Sequence, residues 1–288
     1  MSERRVLVCG AGLMGHGIAQ VMAAAGHRVA LYEPDPERAE AGRARIAGNL
    51  ARQVAKGKTE QRTADELLAR VTATANLDDA AASSDLVVEA VFEELAVKGE
   101  LFAALDAAAP AETLLASNTS SISITRLAAF CRPERRSRFV GMHFFSPVPV
   151  MPLIELTRGA ETDDATEALV REIAAELGKE VIVSRDRPGF IVNRILMPYL
   201  AEAMRAFEEG LGTAEDIDTG ARLGLNHPMG PLALADFIGL DVCLHIMEVL
   251  HAGFGQPHMA PPPVLRQLVD AGHLGQKSGR GFYAHPRD

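Results

Sequence analysis

Cysteine is scarce in this chain and has no pattern. Cys9, Cys131 and Cys243 are scattered and odd in number. Without paired spacing they suggest neither a disulfide framework nor a metal site, and they read as reduced thiols. The nine histidines form no His-Glu-x-x-His pattern and no Cys/His cluster, so no metal centre is expected. No apolar run reaches the ~20 residues of a membrane span. Strand-like sequence begins by Arg5, which leaves neither a secretory signal nor an Arg/Ser-rich transit segment. The expected compartment is the cytoplasm. A basic face is also missing: the formal charge is −9, which argues against nucleic acid or an anionic membrane as partner. Internal repeats and low-complexity segments are absent apart from alanine-rich helices. What remains is a globular composition, about half apolar, in 288 residues that suffice for two domains.

The first 33 residues follow a recognisable order. RVLVC reads as a buried strand, and GAGLMG follows, with Gly10, Gly12 and Gly15 in G-x-G-x-x-G spacing around Leu13 and Met14. A small-residue helix ends near Gly26, and HRVALYE forms a second strand ending at Glu33, 18 residues after Gly15. Strand, glycine turn, helix, strand and acid together make a dinucleotide-binding fingerprint. Gly10 permits the tight turn, Gly12 admits the pyrophosphate, and Gly15 lets helix and strand pack closely. The helix N-terminus offers N–H groups to phosphate. Glu33 would hold a ribose hydroxyl. With Asp35 and Glu37 nearby and only Arg38 to offset them, a 2′-phosphate would be repelled, so the expected cofactor is NAD and not NADP.

Residues 36–70 are charged and helical in pattern, with a polar break near residues 56–59. Arg43, Arg45, Arg52, Lys56 and Lys58 concentrate there. A solvated helix face explains such a run as readily as a cradle for an acidic substrate, and is the commoner case. Alternation then resumes. VTATANL is a strand candidate, and SDLVVEAVF is a buried strand after a helical turn at residues 78–82. VFEELAVKGELFAALDAAA reads as a helix with Glu93, Glu94, Lys98 and Glu100 on one charged face. TLLASNTSS is the next strand, and it ends in the polar cluster Ser117 to Ser121. Ligands in open α/β sheets sit beyond strand carboxyl ends, which makes this cluster a site candidate. Ser121 or Ser123 also suits the cap of the helix that follows.

The stretch FVGMHFFSPVPVMPLIEL joins two apolar runs through a proline-rich bend, and each run holds one ionisable residue, His143 or Glu155. Each would be costly alone in an apolar strand. Side by side they fit a general base with its orienting carboxylate. They also fit a satisfied core histidine in a structural ion pair, and the segment alone leaves both readings open. The helix DATEALVREIAAELGK and the strand EVIVSRD complete this domain.

Strand signals stop at residues 185–188. The fold expected is α/β: a Rossmann-like dinucleotide-binding domain over residues 1–185 and a smaller all-α domain over residues 186–288. Residues 188–210 read as one long helix with Pro198 inside it, polar Asn193 and Arg194 early in it, and a stop at Gly210. Thr213 caps a shorter helix. LALADFIGLDVCLHIMEVL and PPVLRQLVDAG supply two more, and a glycine-rich tail carries Lys277. The apolar stripes of so small a bundle suit a partner copy, so a homodimer through the helical domain is expected.

These motifs together resemble the short-chain L-3-hydroxyacyl-CoA dehydrogenases, most closely the bacterial 3-hydroxybutyryl-CoA branch of that family. GAGLMGHGIAQ, DLVVEAVFE, ASNTSS, GMHFFSPVPVMPLIEL, PGFIVNRILMPYLAEA, NHPMGPLALADFIGLD and KSGRGFY carry the resemblance in the family's order over nearly the whole chain. It implies hydride transfer between NAD and C3 of a short-chain (S)-3-hydroxyacyl-CoA, with 3-hydroxybutyryl-CoA and acetoacetyl-CoA as the pair. It implies that His143 is the acid/base and Glu155 its orienting carboxylate, and that Ser120 and Asn193 bond the substrate oxygen and the base. Glu33, Glu93, Lys98, Ser120 and Lys277 match dinucleotide contacts, and Lys56 matches a lysine that meets coenzyme A. One departure is Ser146, where the family often has asparagine. The shorter side chain lacks an amide donor, which alters what can be contacted on the nicotinamide side and puts the acyl preference in question. A same-family enzyme for another 3-hydroxy acid, such as 3-hydroxyadipyl-CoA or a sugar acid, is the nearest alternative. A non-catalytic NAD-binding relative is the more distant one, and the presence of His143, Glu155, Ser120 and Asn193 speaks against it.

Overall fold

A computed structural model describes residues 3–285. The chain divides into two compact units, Met1–Arg187 and Pro188–Asp288.

The first unit alternates strand and helix: β1 (Arg5–Cys9), α1 (Leu13–Ala24), β2 (Arg28–Tyr32), α2 (Pro36–Ala55), α3 (Gln61–Ala69), β3 (Val71–Thr74), α4 (Leu77–Ala82), β4 (Leu86–Glu89), α5 (Leu95–Ala108), β5 (Leu114–Ser117), α6 (Ile124–Ala128), β6 (Phe139–Phe144), β7 (Leu153–Arg158), α7 (Asp164–Glu176) and β8 (Glu180–Arg185). The strands form one sheet in the order β3-β2-β1-β4-β5-β6-β7-β8. All neighbours are parallel except β6 and β7, which the proline bend turns antiparallel. Short strands such as LVVE and LLAS are buried throughout, as expected where helices cover both faces of a parallel sheet. Val8, Ile18, Leu31, Val88, Met142 and Leu156 belong to one continuous core.

Local chemistry sets the helix starts. Asp35, Asn76, Ser123 and Asp163 accept backbone N–H bonds at the heads of α2, α4, α6 and α7, each worth about 1 kcal/mol. Ser123, not Ser121, takes the α6 cap. α5 begins at Leu95, later than its sequence pattern suggests, and Glu93 and Glu94 precede it. The single charged face expected for this helix is also wrong. Lys98 is only 1% exposed, because Glu89 at the end of β4 draws its ammonium inward.

The second unit is helical: α8 (Val192–Glu208), α9 (Ala214–Thr219), α10 (Pro231–Ile238), α11 (Leu240–Phe254) and α12 (Pro263–Asp270). α8 starts later than Pro188 because Gly189 and Phe190 take left-handed backbone angles. The long apolar stretch read as one helix is two: Gly239, at φ 106°, breaks it between α10 and α11. Pro198 lies inside α8, and Thr213 caps α9. Met197, Leu200, Leu232, Cys243, Met247 and Leu265 form this unit's core. Buried Asp236 fastens the C-terminal tail by accepting from the Phe282 and Tyr283 amides and bonding His285. Among the described residues, no helix is long and apolar enough to cross a membrane, and no cluster of metal-binding side chains occurs.

Candidate active site

The carboxyl edge of the parallel strands is where the sequence-predicted residues of the first unit gather. At Gly10 the backbone turns with φ 102°, so close to β4 that a Cβ would lie 2.5 Å from the Ala90 carbonyl oxygen. A Cβ on Gly15 would lie 1.7 Å from the Gly10 oxygen, so α1 can pack here only without a side chain. Gly12 is different: nothing lies within 4 Å of where its Cβ would be, and no side chain caps α1. Open space, an uncapped helix N-terminus and a carboxylate at Glu33 fit a dinucleotide. Glu33 already accepts from the Ala11 amide at 2.9 Å through one oxygen, which ties the acid of β2 to the glycine turn. Leu13 is largely exposed beside this turn, and Met14 is half-buried.

Across the sheet, His143 and Glu155 occupy directly paired positions of β6 and β7. Nδ1 of His143 lies 3.2 Å from Oε2 of Glu155, which is fully buried. A carboxylate only accepts, so Nδ1 carries the proton in this bond. Nε2 lies on the other side of the ring, and the Ser120 hydroxyl stands 3.0 Å from it. Phe145 packs its ring 4.6 Å from the imidazole. Asn118 holds the end of β5 to β6 by accepting from the Phe144 amide at 2.8 Å.

Ser120 is held from behind. Glu93 accepts from its amide, from the Ser121 amide and hydroxyl, and from the Thr119 hydroxyl. Burial pushes the Glu93 carboxyl up, but the Lys98 charge and the Thr119 and Ser121 hydroxyls outweigh it and hold the group below its ordinary range. Lys98 bridges Glu93 at 3.2 Å and Glu89 at 2.5 Å. Its ammonium is spent on those two carboxylates and the Val91 carbonyl.

Lys56, at the end of α2, and Ser146 line one depression of about 480 Å³ with Leu13, Asn49, Arg52 and Lys58. Its far wall is the proline bend, residues 147–150. Lys179 pins that bend by donating to the Val148 and Met151 carbonyls. Arg43, part of the same basic run, is a structural donor to the Val71 carbonyl.

In the second unit, Asn193 is the buried second residue of α8, and exposed Lys277 pairs with Asp241. Residue type and spacing single out neither Glu89 nor Lys179, whereas Asn118 falls within the polar cluster at the end of β5. The available signal for Glu89 is an acid within the otherwise apolar run of residues 86–92.

Comparison with known proteins bears on this constellation. A sequence model described as 3-hydroxyacyl-CoA dehydrogenase, NAD binding domain, matches residues 5–187, and one described as the C-terminal domain of the same family matches residues 189–285. The chain belongs to the 3-hydroxyacyl-CoA dehydrogenase family. It is 51% identical to a 3-hydroxybutyryl-CoA dehydrogenase of Bradyrhizobium diazoefficiens over 280 residues, 97% of this chain and 94% of that protein. A probable 3-hydroxybutyryl-CoA dehydrogenase of Bacillus subtilis is 48% identical over 98% of both chains. Among solved structures, the (S)-3-hydroxybutyryl-CoA dehydrogenase of Ralstonia eutropha superposes with a TM-score of 0.94 at 44% identity, covering 99% of this chain and 100% of that one. For a 3-hydroxyacyl-CoA dehydrogenase the cofactor is NAD, and the residues matched by its binding-domain model, 5–187, include the glycine turn and Glu33.

Proposed function

We propose that the chain interconverts a short-chain (S)-3-hydroxyacyl-CoA and its 3-oxoacyl-CoA, with 3-hydroxybutyryl-CoA and acetoacetyl-CoA as the pair. The observation that carries this is the His143 ring, bonded through one nitrogen to a buried carboxylate and through the other to a hydroxyl at the carboxyl edge of the sheet.

In this reading His143 Nε2 takes the proton of the C3 hydroxyl during oxidation and returns it during reduction. NAD, when bound, supplies the hydride acceptor. Glu155 keeps the ring in the Nδ1–H form and stabilises the imidazolium as it forms. Ser120 stands at Nε2 before the substrate arrives and then turns its hydroxyl to the reacting oxygen. Glu93 fixes the Ser120 amide, and Lys98 acts on the crevice through Glu93. Glu33 with Gly10, Gly12, Leu13, Met14 and Gly15 takes the adenosine side of the dinucleotide. Lys56, with Arg52 and Lys58 beside it, meets the phosphates of coenzyme A, and Ser146 borders the same depression. Asn193 and Lys277 have roles toward substrate and dinucleotide on the family resemblance alone.

The division of labour follows from the same reading: NAD on the first unit, substrate and subunit pairing through the helical unit. Ile195, Leu211, Leu223, Leu225 and Phe237 of that unit are exposed apolar side chains, which supports a homodimer. All three cysteines are free and buried, which suits a reducing cytoplasm. Initial rates with NADH and acetoacetyl-CoA, beside longer 3-oxoacyl-CoA thioesters, test the function. The expected result is saturable NADH oxidation, fastest with the four-carbon substrate. No rate with any of these thioesters would overturn it.

A further inference from the structure

We propose that Glu89 is a positioning residue of this site, a shared anchor for two hydrogen-bonded arms that hold the segment carrying Ser120. The inference rests on the reading of Ser120 and His143 as the proton-handling pair.

Strand register places Glu89 between Cys9 and Ser117 in the last row of the parallel strands. Its side chain is fully buried. Burial pushes its carboxyl up despite the Lys98 charge, so ionisation here needs every donor around it. Three are present. Oε1 accepts from Lys98 Nζ at 2.5 Å and from the Val91 amide at 2.7 Å. Oε2 accepts from the Ser117 hydroxyl at 2.6 Å.

Two arms leave this carboxylate. One runs through Lys98 to Glu93, which collects the amides of Ser120 and Ser121 and the hydroxyls of Thr119 and Ser121. The other runs through the Ser117 oxygen, which accepts from the Thr119 amide at 3.2 Å. Both arms end on residues 119–121, and the Ser120 hydroxyl is 3.0 Å from His143. Stability does not call for such a device, since a buried ion pair is commonly matched by an apolar pair of the same volume. Placing a donor at a reacting centre does, because small errors there slow the reaction steeply.

Three measurements test this on the intact protein: kcat, the NADH dissociation constant by fluorescence, and Tm. Glu89→Gln is expected to lower kcat at least fivefold and to weaken NADH binding. Ser117→Ala, a milder cut of the second arm, should do the same to a smaller degree. Losses in Glu89→Gln and Glu93→Gln should not add in the double variant, because both act through one segment. Asp106→Asn breaks a buried carboxylate–guanidinium pair with Arg135 elsewhere in the unit, and should lower Tm with kcat unchanged. Wild-type kcat and NADH affinity in folded Glu89→Gln would overturn the proposal, as would full additivity with Glu93→Gln. If Glu89→Gln does not fold, Ser117→Ala decides by the same criteria. A wild-type protein without dehydrogenase activity would defeat the functional reading, and NADH affinity would still report on Glu89.

Discussion

Nδ1 of His143 stands 3.2 Å from Oε2 of Glu155, across directly paired positions of two antiparallel strands. The pairing is a product of backbone register. A one-residue slip of β7 would turn the carboxylate to the opposite face of the sheet. The proline bend that fixes the register is itself held by Lys179 and packed on Gly17 through Val148.

Glu155→Gln keeps an acceptor for Nδ1–H but loses the charge that stabilises imidazolium. A charged hydrogen bond exceeds a neutral one enough to lower kcat roughly ten- to a hundredfold. KM for the thioester should change little. Steady-state kinetics separate the two, and a pure KM effect would contradict the orienting role.

On the proposed function, cofactor choice falls to Glu33. One Glu33 oxygen accepts from the Ala11 amide, and Asp35, which Arg38 approaches only at 3.9 Å, adds a second carboxylate two residues on. The wild type should favour NAD over NADP by roughly ten- to a hundredfold in kcat/KM. Parallel kinetics with the two cofactors check this, and an equal or higher value with NADP would contradict it.

Lys56→Ala should raise KM for acetoacetyl-CoA about fivefold, on the scale of an exposed charge pair. kcat and the KM for NADH should hold. The effect should fade with added salt. It should also vanish with an acetoacetyl thioester of pantetheine, which lacks the nucleotide phosphates. An equal loss with both thioesters would remove Lys56 from coenzyme A recognition.

Stability should carry the mark of Glu93. Burial opposes its charge, but Lys98 and two hydroxyls prevail, so the folded value lies below the unfolded one. The contribution is therefore fully present above about pH 4.3 and disappears as pH falls through the lowered folded value. Thermal melts of wild type and Glu93→Gln should show a Tm gap near pH 7 that narrows as pH falls below about 4.3. A gap that stays constant would mean that the carboxylate's charge does not stabilise the fold.

Much of this was readable from residue order because the signals are local. The glycine turn needs only three glycines, a strand before and a helix after. The His143–Glu155 pair announces itself because each apolar run holds one ionisable residue that demands a partner. The rest depends on distant contacts. Lys98 sits in a helix whose charges suggest solvent, and only the end of β4 shows that it points inward. Glu89 lies within an apolar run and gives no hint of three separate donors. The late start of α8 and the break before α11 rest on left-handed angles at Phe190 and Gly239, which composition does not reveal.

The most direct test is turnover of purified His143→Gln with acetoacetyl-CoA and NADH, measured beside NADH binding. The expected result is a kcat reduced by about 10²–10⁴, with NADH bound as tightly as in the wild type. Wild-type kcat in that variant would contradict the assignment of His143 as the acid/base.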